Sequence, residues 1–76
     1  MSYNELRKLV RGKNLPTSAT NENGENVIVE EGSDSELGHF YRTETAQHNN
    51  WCRINYYYEN GDTEELYEHW NEILIK

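Results

Sequence analysis

Eight residues, Trp51-Cys52-Arg53-Ile54-Asn55-Tyr56-Tyr57-Tyr58, commit this chain to a β-sheet. Aromatic and β-branched side chains fit a pleated, half-buried surface, and no helix-capping residue opens the run. Successive strand side chains point to opposite faces. The even positions, Cys52, Ile54, Tyr56 and Tyr58, carry no charge, whereas the odd positions include Arg53 and Asn55. The even face is therefore expected to meet the core. Val27-Ile28-Val29 reads as an earlier strand, and His39 to Ala46, with an aromatic pair and alternating threonines, as the one between. Gln47 to Asn50 reads as a turn joining the last two.

The flanks read differently. Ser2 with Glu5 forms a capping box, and Tyr3, Leu6, Leu9 and Val10 share one helical face, so residues 2–11 are expected to be a helix. Gly12 follows where a left-handed cap needs glycine, and Leu15-Pro16 prevents continuation. Residues 17–25 read as a polar loop with a turn at Asn23-Gly24, and residues 31–37 as another loop. At the C-terminal end two signals compete. Asn60-Gly61 favours a hairpin into residues 63–67. Leu66 and Tyr67 are adjacent, however, and with Trp70, Ile73 and Leu74 they fit one helical stripe. The stripe favours a helix over 63–75, capped by Asp62 or Thr63. The expected architecture is α+β: helix, three-stranded antiparallel meander, helix, in one domain over residues 1–76. The sheet would bury one face beneath both helices. Its core would be thin, because only 34% of residues are hydrophobic; six Tyr, two Trp and one Phe offset this.

Charge narrows the function classes. Fourteen Asp and Glu face seven Lys and Arg, a formal net charge of −7. The basic residues Arg7, Lys8, Arg11 and Lys13 are gathered in the first helix and just past it, which is also ordinary chemistry for a helix C-terminus. An acidic body repels nucleic acid and acidic membranes and attracts basic proteins. No apolar run approaches the ~20 residues of a membrane span, and no secretory leader is legible. The single Cys52 excludes an internal disulfide. These features lead us to expect a soluble, cytoplasmic protein.

No motif points to catalysis. His39, His48, His69 and Cys52 lack metal-ligand spacing, Cys52 falls on the expected core face, and no glycine-rich phosphate loop occurs. We therefore expect no enzyme activity, no metal and no cofactor. The acidic residues are better placed. In a meander, the end of the first strand and the end of the third lie at the same edge of the sheet. Glu30, Glu31, Asp34 and Glu36 would then approach Glu59, Asp62, Glu64 and Glu65. Such a patch is either a solvated acidic surface or a set of carboxylates that occupies phosphate-binding Lys and Arg pockets. Trp51 and Tyr57 should lie on the face away from the even positions, as candidate interface aromatics if no helix covers them.

Two family resemblances follow. The helix–three strands–helix order, with Asn4-Glu5-Leu6 and then Leu15-Pro16, resembles the double-stranded RNA-binding domain. That family binds RNA with lysines at the start of its second helix, where this chain has Thr63-Glu64-Glu65, so RNA binding is not implied. The opening Asn4-Glu5-Leu6-Arg7-Lys8-Leu9-Val10, the sheet and the abundant carboxylates also resemble small acidic phage proteins that inhibit bacterial defence, type II anti-CRISPR proteins among them. This second resemblance implies a non-enzymatic inhibitor. It would mimic DNA to bind a basic nuclease or other nucleic-acid-binding protein inside a bacterial host cell. A generic protein-interaction or immunity-type module without mimicry is the alternative.

Overall fold

The computed structural model describes residues 1–46 and 51–69. One helix, α1 (Tyr3–Leu9), precedes five strands: β1 (Thr17–Thr20), β2 (Asn26–Asp34), β3 (Gly38–Ala46), β4 (Trp51–Tyr58) and β5 (Thr63–His69). The strands form one antiparallel sheet in the order β1-β2-β3-β4-β5. The expected α-β-β-β-α arrangement is thereby corrected. There are two further strands, and residues 63–69 pair with β4 instead of forming a helix: Ile54 lies opposite Leu66 and Tyr56 opposite Glu64. Residues 70–75, including Trp70, Ile73 and Leu74 of the expected stripe, lie outside the described residues. Residues 17–20, expected as loop, form β1, and of the expected loop 31–37 residues 31–34 extend β2, which leaves 35–37 as the turn into β3.

The helix begins as the capping signal requires, with Ser2 Oγ accepting from the Glu5 amide at 3.2 Å. Gly12 adopts a positive φ of 77°, just past the helix end. Leu6 and Val10 are buried against Val27, Val29 and Tyr41, with Tyr3, Leu15, Ala19 and Tyr57 packed around them. These strand residues are all odd-numbered, so α1 covers the odd face of the sheet. The even positions of β4 are nonetheless buried too: Ile54 completely, Cys52 and Tyr58 nearly so. On the even face, which lies opposite the helix, full burial is confined to β4: Ile28 of β2 and Leu66 of β5 are exposed there.

Two hairpins are closed by the same tripeptide, Glu22-Asn23-Gly24 and Glu59-Asn60-Gly61. In the first, the Asn21 amide donates to the Glu25 carbonyl at 3.0 Å and the Gly24 amide to the Asn21 carbonyl at 3.1 Å. In the second, Tyr58 donates to Asp62 at 2.9 Å and Gly61 to Tyr58 at 3.0 Å. Each glycine has a positive φ, 78° at Gly24 and 96° at Gly61, as a three-residue hairpin loop demands at its last position.

Candidate functional site

Antiparallel pairing brings two hairpin tips to one end of the sheet. The β2–β3 tip carries Asp34 and Glu36, and the β4–β5 tip carries Glu59 and Asp62. β3 and β4 join them, with Phe40 opposite Tyr58 and the Glu59 amide donating to the His39 carbonyl at 3.1 Å. Asp34 builds its own tip: one carboxylate oxygen accepts from the amides of Glu36 at 2.8 Å and Leu37 at 2.9 Å. Those two hydrogen bonds hold its carboxyl below the ordinary carboxylate range. Asp62 is held by Asn60, whose side chain accepts from the Asp62 amide at 2.8 Å and donates to its carboxylate at 3.0 Å.

Not all eight sequence-derived acids behave alike. Glu31 reaches the end on the helix side, where its carboxylate lies 3.6 Å from His39 Nε2. Glu64 reaches it on the even face and accepts from the Tyr58 hydroxyl at 3.3 Å. Glu30 is drawn inward to Arg42, which also pairs with Glu44 and donates to the Tyr56 hydroxyl at 3.3 Å. Glu65 sits opposite Asn55 and lines a separate pocket. Among the described residues, the ion pairs to Lys or Arg involve Glu25, Glu30 and Glu44, and none involves Asp34, Glu36, Glu59, Asp62 or Glu64. The acidic end is therefore six carboxylates wide: Glu31, Asp34, Glu36, Glu59, Asp62 and Glu64.

The expected aromatic pair divides. Trp51 is exposed at the start of β4. Tyr57 lies on the face that α1 covers, packs against the core and bonds with Thr43; burial pushes its phenol up. It is half-buried against the core beneath the helix face, not an exposed anchor. Sequence reasoning missed a different aromatic group. The Tyr3 hydroxyl lies 2.8 Å from His39 Nδ1, and both rings pack on Tyr41, which ties the helix start to the acidic end. Burial, with Glu59 nearby, raises the Tyr3 phenol. The only sequence signal for this contact was that Tyr3 lies on the apolar stripe of α1.

A polar pocket of about 220 Å³ opens on the helix face, away from the acidic end, and is lined by Thr43, Thr45, Arg53, Asn55 and Glu65 among others. Its Arg53 donates to Glu25 at 2.8 Å, while the buried Arg53 Nε has no partner. Among the described residues, no three His, Cys, Asp or Glu side chains are grouped to hold a metal ion, and no helix is long and apolar enough to cross a membrane. Comparison with known proteins returns nothing: no family model, no curated protein and no solved structure matches this chain.

Proposed function

We propose that this chain is a non-enzymatic binding protein whose acidic end occupies a basic, phosphate-binding surface of a nucleic-acid-handling protein, a CRISPR-associated nuclease being the partner the sequence resemblance suggests. The supporting observation is the alignment of the two hairpin tips. It sets Asp34, Glu36, Glu59 and Asp62 side by side, with Glu31 and Glu64 behind them. Neighbouring strands lie ~5 Å apart, so the carboxylates of the two tips are separated by distances on the order of 5–15 Å. A run of negative charge on that scale presents acceptors to Lys and Arg side chains that otherwise hold phosphates. The turns are held by their own hydrogen bonds, which limits the ordering cost of binding.

Affinity capture from lysate, with and without nuclease treatment, tests the reading. A basic nucleic-acid-binding protein should be retained in both cases and released by added DNA. Retention unaffected by DNA would leave a protein-binding module without mimicry. The protein itself should give no mobility shift with DNA or RNA at micromolar concentration; a shift would overturn the mimic reading.

A further inference from the structure

Among the described residues, the strand that replaces the expected terminal helix leaves one edge of the sheet open. β5 is the last strand of the sheet, and among the described residues nothing pairs with its outer side. Its backbone polarity follows from the turn. Tyr58 donates to the Asp62 carbonyl, so Asp62 faces β4. Antiparallel pairing alternates, so Glu64, Leu66 and Glu68 also face β4, whereas Thr63, Glu65 and Tyr67 direct their amides and carbonyls outward. The side chains along this edge alternate between faces. Glu64, Leu66 and Glu68 lie on the even face and Glu65 and Tyr67 on the other; Leu66 is 37% exposed and Tyr67 57%. By contrast β1, at the opposite edge, is only four residues long.

We propose that the outer edge of β5 is a second docking surface, which takes an extended basic segment of a partner protein as a sixth, antiparallel strand. Strand addition supplies backbone hydrogen bonds, and alternate side chains supply specificity. Opposite Glu64, Glu65 and Glu68 the incoming segment places Lys or Arg; opposite Leu66 and Tyr67 it places apolar residues. Charge selects this occupant over a second copy of the chain. Two β5 edges brought together would set Glu beside Glu, and like charges directly opposite are destabilising. The inference shares with the proposed function the premise of a basic partner and the carboxylate of Glu64; its backbone contacts lie along the β5 edge and use none of Asp34, Glu36, Glu59 or Asp62.

The test is hydrogen exchange read by NMR, using a seven-residue peptide that reads threonine, lysine, valine, valine, lysine, lysine, threonine. In the isolated protein the amides of Thr63, Glu65 and Tyr67 should exchange freely, and those of Glu64, Leu66 and Glu68 slowly. Saturating peptide should slow the first set about ten-fold or more. The same peptide N-methylated at alternate residues should fail to do so. Replacing Glu64 and Glu68 together by Lys should weaken peptide binding about ten-fold. Replacing Asp34 and Glu36 by Lys should leave edge protection in place, which separates this proposal from the acidic-end reading. Protection of Thr63, Glu65 and Tyr67 in the free monomer would overturn the proposal. So would equal binding of the N-methylated peptide, no response at saturation, or protection that appears only with dimerisation.

Discussion

Gly32 sits in mid-strand directly opposite Phe40, whose ring lies over it. A Cβ built at Gly32 would come within 2.7 Å of the ring's Cζ. The ring in turn packs edge-on to Tyr56 and Tyr58, at centroid distances of 5.3 and 5.7 Å. Gly32 thus has a packing role, an aromatic covering a strand glycine, although the sequence around it, residues 31–37, reads as a loop. Gly32→Val should destabilise the fold by about 1–3 kcal/mol by displacing the ring. In chemical denaturation its effect should be far smaller in a Phe40→Ala background, because the two sites share one contact. Asp34 acts at the same scale through charge. Its folded pKa is depressed by the Leu37 and Glu36 amides. The stabilisation it brings is complete above its ordinary value of 3.8 and is lost as pH falls through the lower folded value. Asp34→Ala should therefore lower the melting temperature at neutral pH, and the gap to the unsubstituted protein should narrow in acid.

The elements show which local signals prevail. Helix α1 and strands β3 and β4 were legible because each has a clear period, with Ser2 and Gly12 bounding the helix and Asn60-Gly61 closing β4; the turn expected at 47–50 lies outside the described residues. β5 was not. Adjacent Leu66 and Tyr67 argue against a strand only where one face must be dry, and on this edge both remain partly exposed. β1 was hidden for a related reason: Thr17-Ser18-Ala19-Thr20 is polar enough to read as loop, and a short edge strand needs little apolar content. Glu-Asn-Gly prevailed in both hairpins, and the resemblance to a helix-ended domain fell with the expected terminal helix. At Gly24 and Gly61 nothing lies within 4 Å of an added Cβ, so only backbone conformation resists substitution. Gly24→Ala and Gly61→Ala should each cost about 1–2 kcal/mol, and the double substitution should be additive in denaturant titrations. Asn at either site should be tolerated better than Ala.

At the scale of the molecule, charge is sorted rather than spread. The sequence made the acidic end partly legible, because strand order alone places Asp34 and Glu36 near Glu59 and Asp62. It could not separate Glu30, which Arg42 holds, or Glu65, which faces the pocket beside Arg53, since both depend on which face of the sheet each residue takes. The basic residues Arg7, Lys8, Arg11 and Lys13 are all exposed, on or just beyond α1. If the acidic end meets a basic partner, long-range attraction steers the encounter, and its reach shrinks from ~10 Å at 0.1 M salt to ~3 Å at 1 M. The association rate with the captured partner, followed by stopped flow, should fall steeply over that range. Replacing Asp34 and Glu36 by Lys should slow association much more than it speeds dissociation, because tip carboxylates act at the rim of a contact. Arg7 and Lys8 changed to Glu should leave the rate unchanged or raise it, since they add to the attracting charge. The reverse pattern, with the helix changes abolishing binding and the tip changes silent, would move the contact surface to α1.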